Sequence, residues 1–254
     1  MKIVRFEYRA AIGFGVVEDG VVSSIKGDVF STPIVKGAVV ARLEDVRILA
    51  PIEPPFIVGL GFNYPKHAEQ ASREVPKDEP LLHFKPSTAV VGPNEAILYP
   101  KVCSDMLVGG ELAVVIGRVA KNVSVQNARD YILGYTIAND VTSRDILRKE
   151  GRPTRGKSFD TFCPIGPCIE TELNTDDIVI TTSVNGEVKS KGSTKQMTFN
   201  VAQLVSFISH FKTMLPGEII NTGSPTIEQI VIGDTVDIEI EGIGVLTNPV
   251  ARGT

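Results

Sequence analysis

The chain has 254 residues, of which 43% are hydrophobic and 22% charged, with a formal net charge of −4. This composition is typical of a globular protein with a full core and excludes a disordered chain, and no apolar run is long enough to cross a membrane. Acidic balance without basic clusters argues against nucleic acid and anionic membrane as partners. An anionic ligand would therefore need a local positive site, supplied by a metal or by placed lysine and arginine residues.

The first 50 residues predict a small β module. Met1–Tyr8 alternates like a strand and contains no signal-peptide core, which favours a cytoplasmic protein. The following short segments are interrupted by glycines, and a cluster of prolines marks the end of the module: Pro51, Pro54 and Pro55. The sequence therefore predicts two units, an N-terminal module over residues 1–50 and a larger domain over residues 51–254.

Further segments with apolar or alternating patterns predict strands: Phe56–Gly61, Thr88–Val91, Leu112–Ile116, Leu133–Ala138, Ile178–Val184 and Val236–Ile240. The last of these alternates apolar and acidic residues, as expected of a sheet with one face in water. The turn at Asn185-Gly186 favours antiparallel pairing. Strands outnumber helices, and the fold class is predicted to be mixed α+β and mostly β.

Three helices are predicted between these strands. Pro65 suits the first turn of a short helix. Ser124 is a candidate cap for a second helix, and Asn200 for a third, whose apolar residues recur at helical spacing: Leu204, Phe207, Ile208 and Phe211. The three cysteines, Cys103, Cys163 and Cys168, cannot all pair, and we interpret them as buried thiols.

A cluster of charged residues follows the strand predicted at Leu133–Ala138. Asp140, Arg144 and Lys157 place a carboxylate, a guanidinium and an ammonium within about 20 residues. Groups of this kind at strand ends commonly bind small anionic ligands. Alone, however, such a set is also compatible with an ordinary solvated loop, because charged residues are mostly exposed.

Four sequence blocks in the same order resemble the fumarylacetoacetate hydrolase family: Gly61-Phe62-Asn63-Tyr64 with His67, Gly110–Gly117, Asn139-Asp140 through Lys157–Asp160, and Thr222-Gly223-Ser224-Pro225. The resemblance covers about residues 56–250 and implies a β-roll catalytic domain, usually dimeric, so we expect a homodimer. It also implies a divalent cation, Mg²⁺ or Mn²⁺, and a small anionic metabolite as substrate. Family members cleave, decarboxylate or isomerise 2-oxo and β-diketo acids, and a hard cation can polarise such acids through their oxygens.

The resemblance also implies roles for individual residues. Glu111 and Asp140 correspond to two of the family's three metal carboxylates. Lys157 corresponds to the lysine beside the substrate, and His67 to the catalytic histidine, which in the family works with a glutamate three residues later. The predicted substrate-binding residues are Arg144, Thr222 and Ser224.

Four departures from the family pattern fall in the site. Gly109 stands where the family has the first metal carboxylate, which predicts a weakened metal site. Gln70 replaces the glutamate partner of His67, and an amide cannot accept a proton from water. Leu147 replaces a glutamine, and Thr226-Ile227-Glu228 replaces a glycine-rich loop.

Two functions remain compatible with these departures. The first is a metal-assisted enzyme that acts on a small 2-oxo, enol or β-diketo acid by hydrolysis, decarboxylation or isomerisation. The second is a degenerate member that serves as a binding or partner subunit or as a metal-independent catalyst. The retained polar residues favour the first, while the loss of both glutamate positions favours the second.

Overall fold

A computed structural model describes residues 1–253, within which the chain forms twenty strands and three α-helices. The helices are α1 (Pro65–Gln70), α2 (Arg144–Glu150) and α3 (Val201–Phe211). The strands are β1 (Lys2–Tyr8), β2 (Ala11–Glu18), β3 (Val21–Lys26), β4 (Val35–Arg42), β5 (Arg47–Ile48), β6 (Ile57–Gly61), β7 (Leu81–Lys85), β8 (Val90–Val91), β9 (Ile97–Tyr99), β10 (Met106–Val108), β11 (Gly110–Ile116), β12 (Ile132–Asn139), β13 (Thr142–Ser143), β14 (Cys163–Glu170), β15 (Val179–Val184), β16 (Glu187–Ser193), β17 (Ile219–Asn221), β18 (Glu228–Ile230), β19 (Thr235–Ile240) and β20 (Gly244–Arg252).

A twelve-stranded sheet forms the main layer, with the strand order β4-β3-β2-β1-β14-β12-β11-β17-β6-β7 and with β5 and β8 attached to its side. Most pairs are antiparallel, as predicted, but β17 and β6 run parallel. The N-terminal strands belong to this sheet, because β1 pairs with β14 through Lys2 opposite Glu170. The predicted N-terminal module is thus continuous with the main sheet, although its own five strands come from residues before Pro51.

A second sheet, in the order β16-β15-β19-β20-β9, packs against the centre of the first through contacts with β11, β12 and β14. All seven residues of β11 are buried, as expected of a strand that is covered on both faces. In β19 Val236, Ile238 and Ile240 are buried while Glu239 is exposed, which matches the predicted alternation. The mostly β fold class is confirmed, and the two packed sheets form its core.

The predicted helices differ in outcome. Asn200 caps α3 by accepting a hydrogen bond from the backbone N–H of Gln203, whose side chain returns to the Asn200 backbone, so this capped helix is confirmed. The helix predicted after Ser124 is instead a 3₁₀ helix over Val125–Tyr131, and the Ser124 side chain makes no capping bond. The three cysteines are free and buried, as predicted. Within residues 1–253, none of the helices has the length and apolar content needed to span a membrane.

Candidate active site

The strand order brings the distant sequence blocks to one edge of the main sheet. Strands β6 and β17 are parallel, so the segments that follow them, Phe62–His67 and Thr222–Ser224, leave the sheet at the same edge. Strand β11 is antiparallel to β17, and β12 is antiparallel to β11, so the start of β11 and the end of β12 lie at this edge too. The positions of Glu111 and Asp140 follow from this arrangement.

Glu111 and Asp140 point to the same face of the sheet. Glu111 lies opposite Ala138, and Asp140 is two residues further along, so the two side chains are diagonal neighbours. Glu111 is buried, and its Oε2 accepts a hydrogen bond of 2.7 Å from the backbone N–H of Gly223. Burial, and next the charge of Asp140, raise the pKa of Glu111 well above its usual value. The two predicted carboxylates therefore lie close together, and Glu111 binds a proton more readily than an ordinary glutamate.

Asp140 is neutralised by two ammonium groups. Lys157 donates a hydrogen bond to its Oδ2 and a second one of 2.9 Å to Thr142 Oγ1, and the Lys85 Nζ lies 2.9 Å from its Oδ1. Burial on its own would raise the pKa of Asp140, but Lys157, Lys85 and His83 together hold it well below the usual value. Asp140 is thus the ionised member of the pair.

Lys85 is a buried residue that the sequence analysis missed. Its ammonium donates to the carbonyls of Val141, Lys157 and Phe162 at 2.9, 3.1 and 2.6 Å, and it is 1% exposed. Because all three N–H bonds point to carbonyls, Asp140 Oδ1 is attracted by the charge but receives no hydrogen bond. Lys85 therefore fixes the backbone that carries both Asp140 and Lys157.

His83 is a second buried residue that the sequence analysis missed. Its Nε2 lies 3.7 Å from Asp140 Oδ2 and has no hydrogen-bond partner in the protein. A Cβ at Gly59, its neighbour on β6, would lie 2.2 Å from this nitrogen, so glycine allows the ring to lie against the strand. Burial, and next the charge of Lys157, lower the pKa of His83 to about 4.

The low pKa of His83 predicts acid destabilisation. The unfolded chain binds a proton on this histidine near pH 6.5, whereas the folded protein binds it only near pH 4, so its contribution to stability is lost as the pH falls through this range. His83→Gln should reduce the slope of unfolding free energy against pH by up to about 1.4 kcal/mol per pH unit. Urea unfolding of both proteins at several pH values in this range measures it. The pKa of His67 is also lowered and that of Glu111 is raised. Both residues are present in both proteins, so their contributions to the slope cancel in the comparison. Equal slopes would contradict the assignment.

His67 lies on α1, beside the carboxylate pair. Burial, and next Lys157, lower its pKa to about 4, although Asp140 and the backbone of Ser224 act in the opposite direction. The Phe62 ring meets the imidazole edge-on, with 5.1 Å between ring centroids, and Phe62 has the unusual φ of 55° for a non-glycine residue. His67 Nδ1 is buried and has no partner in the protein. At neutral pH His67 is therefore an uncharged imidazole with a free nitrogen.

Both ends of the Gln70 amide are hydrogen-bonded to a loop and not to His67. Its Nε2 donates to the carbonyl of Ile227 at 2.7 Å, and its Oε1 accepts from the N–H of the same residue at 3.0 Å. The departures at Gln70 and at Thr226–Glu228, which are far apart in sequence, are thus in direct contact.

The space beside Gly109 is filled by Ser224 and Ile227, which belong to the loop that Gln70 binds. A Cβ at Gly109 would lie 2.6 Å from Ser224 Oγ and 2.9 Å from Ser224 Cβ, with Ile227 Cγ2 at 3.4 Å. A larger residue at this position would also need a backbone conformation outside the left-handed region that favours glycine. Gly109 does not have a positive φ, and the space is limited by packing against Ser224 and Ile227 instead.

The three predicted substrate-binding residues make contacts within the protein. Arg144 forms a two-point ion pair with Asp105, with Nε–Oδ2 and Nη2–Oδ1 distances of 2.5 and 2.8 Å. Thr222 donates from Oγ1 to the carbonyl of Leu112 at 2.8 Å, and Ser224 is buried beside Gly109. Asp105 is consequently engaged by Arg144 and does not replace the missing carboxylate.

The donors at this site do not fit the divalent cation that the resemblance implies. Within residues 1–253, no group of three or more His, Cys, Asp and Glu side chains is arranged to hold a metal ion. The Lys157 ammonium contacts Asp140 Oδ2, Lys85 lies beside Oδ1, and the space at Gly109 is filled. A divalent cation here would stand next to two fixed positive charges, and Coulomb repulsion disfavours that arrangement.

Two family models match this chain. The family described as fumarylacetoacetate (FAA) hydrolase, C-terminal, matches residues 56–251, and a family described as Rv2993c-like, N-terminal, matches residues 1–51. The human protein named oxaloacetate tautomerase FAHD2A, mitochondrial, is 37% identical over 220 residues, which cover 81% of this chain and 70% of that protein.

Solved structures are similar over the whole chain. The structure named 5-carboxymethyl-2-hydroxymuconate delta-isomerase from Mycobacterium smegmatis has a TM-score of 0.93 and 40% identity, with 100% of both chains covered. The structure named 2-hydroxyhepta-2,4-diene-1,7-dioate isomerase from Mycobacterium marinum has a TM-score of 0.91 and 42% identity, with 99% of this chain and 98% of that chain covered. These matches confirm the resemblance found in the sequence, and the chain belongs to the fumarylacetoacetate hydrolase family of enzymes.

Proposed function

We propose that this chain catalyses enol–keto tautomerisation, or the related double-bond isomerisation, of a small 2-oxo dicarboxylic acid. Three relatives with isomerase or tautomerase names support this reaction class. The observation that carries the choice is Gln70, whose amide is bound at both ends to the backbone of Ile227.

Gln70 argues against hydrolysis of a carbon–carbon bond. Hydrolysis needs a group that removes a proton from water, and general-base catalysis is typically worth ~10²- to 10⁴-fold. Neither a carboxylate nor a free amide faces His67 from position 70. Tautomerisation consumes no water, because it moves one proton between oxygen and carbon, and it therefore fits this site better.

Lys157 is the proposed binding group for the reacting oxygen. Its ammonium has three N–H bonds, of which two are directed to Asp140 and Thr142. The third is free to donate to a carboxylate or enolate oxygen of a ligand. Buried polar atoms without partners lie around the carboxylate pair: Asp140 Oδ1, His83 Nε2 and His67 Nδ1 on the side of Asp140, and the Tyr64 hydroxyl on the side of Glu111. Native proteins contain few such atoms, so their concentration here favours a site for a polar ligand.

His67 is the proposed proton carrier. As a neutral imidazole, it accepts the hydroxyl proton of the enol, and the O–H electron pair stays on the oxygen, which leaves an enolate. An oxygen electron pair then forms the carbonyl while the electron pair of the carbon–carbon double bond takes the same proton at C3, which regenerates the imidazole. The Lys157 ammonium stabilises the enolate charge between the two transfers. No step in this sequence requires an activated water or a metal-bound group.

A local excess of positive charge supports an anionic substrate. Residues 144–157 contain six lysine or arginine residues and two acidic residues, although the whole chain is acidic. Arg148, Lys149 and Arg152 are exposed on α2 and on the loop that leads to Lys157. Charge of this kind raises the local concentration of anions. The composition of the whole chain concealed this feature.

The test is a parallel assay of tautomerisation and bond cleavage. Purified protein is mixed with enol oxaloacetate, an acylpyruvate or 2-hydroxyhepta-2,4-diene-1,7-dioate, and both the loss of the enol absorbance and the formation of cleavage products are followed. We expect tautomerisation at least about 100-fold above the uncatalysed rate, as for a working acid–base residue, and cleavage no faster than the background. Cleavage that outpaces tautomerisation would contradict the proposal, and tight binding without turnover would favour a binding subunit.

A further inference from the structure

Three of the four departures from the family pattern form one contact cluster. Gln70 is bonded at two points to Ile227, and both Ile227 and Ser224 occupy the space beside Gly109. The backbone of Ser224 also faces His67, so the cluster is continuous with the candidate active site. Because these three departures are in contact, we expect them to act together on the position of one loop.

The chemistry of Gln70 is specific for this contact. The carbonyl of Ile227 requires a donor and its N–H requires an acceptor, and one primary amide supplies both. A glutamate carboxylate would accept from the N–H but would face the carbonyl without a proton to donate. Glutamine at position 70 therefore holds the loop in a way that the family glutamate cannot.

In the position that it has here, the loop crowds any side chain at position 109. Cβ atoms do not approach other heavy atoms as closely as the 2.6 Å that a Cβ there would have to Ser224 Oγ, so a carboxylate at Gly109 requires the loop to move. Metal ligation from position 109 therefore requires Ser224 and the loop that follows it to shift. The positive charge at the carboxylate pair comes from Lys157 and Lys85.

From these contacts we infer that Gln70 is a positioning residue that holds the Ser224–Ile227 loop in the space of the missing carboxylate, and that the chain works with the Lys157 ammonium in place of a divalent cation. The catalytic part of this inference rests on the proposed tautomerase function. The structural part, a loop that closes the metal site, stands independently of any activity.

The first test measures Mn²⁺ binding by the loss of the free Mn²⁺ signal in electron paramagnetic resonance. Wild type and Gly109→Glu should bind Mn²⁺ only weakly, because the bonds from Gln70 to Ile227 oppose the loop displacement that a coordinating carboxylate at position 109 needs. The double variant Gln70→Ala/Gly109→Glu should bind at least about tenfold more tightly than Gly109→Glu, since the loop is released. Glu69→Gln/Gly109→Glu is the matched control, because Glu69 is the exposed neighbour of Gln70, and it should resemble Gly109→Glu.

The outcomes are decisive in both directions. One tightly bound Mn²⁺ per wild-type chain would overturn the inference, and so would a double variant that folds but gains no affinity. If the double variant does not fold, hydrogen exchange of the Ile227 amide replaces it as the test. That amide should exchange at least about tenfold faster in Gln70→Ala than in Glu69→Gln, and equal exchange in the two would overturn the role of Gln70.

The second test separates this inference from the proposed function. Wild type is dialysed against a chelator and assayed for tautomerisation with and without added Mg²⁺. Turnover that persists within about twofold supports the inference, and a loss of more than about tenfold that Mg²⁺ restores overturns it. If the protein has no tautomerase activity under any condition, the proposed function fails, while the Mn²⁺ measurements still decide whether the loop closes the metal site.

Discussion

Replacing Lys157 with alanine is expected to lower the turnover of any substrate of this protein by about 10²- to 10³-fold. The proposed role of its ammonium is to stabilise an oxyanion in a site where Asp140 and Thr142 already fix its position. Loss of one preorganised donor of this kind typically reduces kcat by that amount. The measurement is kcat and kcat/KM for the best substrate found in the parallel assay.

Lys149→Ala is the matched control for this variant. Lys149 is an exposed lysine on the neighbouring α2 helix, and its replacement should change kcat by less than about twofold, since it only adds to the long-range field. A thermal unfolding curve should accompany both variants. If Lys157→Ala folds normally and keeps wild-type kcat/KM, the lysine is structural and the assigned site is incorrect.

Replacing Lys85 with methionine is expected to destabilise the fold by about 3–5 kcal/mol, the usual cost of removing one partner of a buried charge pair. Methionine has similar length but leaves three backbone carbonyls without a donor and leaves Asp140 with Lys157 as its remaining lysine partner. Since native proteins are stable by ~5–15 kcal/mol, this is a large share of the total. Equilibrium unfolding in urea measures it.

Lys121→Met is the control for Lys85→Met. Lys121 is exposed and donates to one carbonyl, that of His210, so its loss should cost no more than about 0.5 kcal/mol. A Lys85→Met variant as stable as wild type would mean that the buried ammonium contributes nothing to the fold.

Parts of the fold were predictable from the sequence where a local pattern of apolar residues or a helix cap matched the burial of that segment. The apolar run of β11 and the capped, periodic sequence of α3 are examples. The segment after Ser124 was not, because a candidate cap and a few apolar residues do not distinguish an α-helix from a 3₁₀ helix of seven residues. The pairing of β1 with β14 places Lys2 opposite Glu170, and no local pattern encodes a contact between residues so far apart in the chain.

Strand β7, which contributes to the candidate site, does not follow the usual alternation of buried apolar and exposed polar residues. In β7 the pattern Leu82-His83-Phe84-Lys85 predicts an apolar face inside and a polar face in water. The structure has the reverse, with Phe84 47% exposed and Lys85 1% exposed. Burial of His83 and Lys85 depends on Asp140 and on the carbonyls of residues far along the chain, and these partners become visible only in three dimensions.

The positions of Glu111, Asp140, Lys157 and His67 followed from motifs, since each lies in a block with a recognisable pattern. Their protonation states did not follow from motifs. Burial and mutual charge make Glu111 and Asp140 titrate in opposite directions, and the same effects keep His67 neutral. Such shifts depend on distances between elements, which spacing along the chain does not determine.

The contact between Gln70 and Ile227, together with the filled space at Gly109, has a consequence for the routes by which this sequence can change. Restoring a glutamate at position 109 alone meets Ser224, and restoring one at position 70 alone breaks the hydrogen bonds to Ile227. Each single reversion carries a cost, and a benefit requires the loop to change as well. The three positions are therefore expected to show strong epistasis, so that one-at-a-time mutational scanning would report each as intolerant while the combined exchange is accepted.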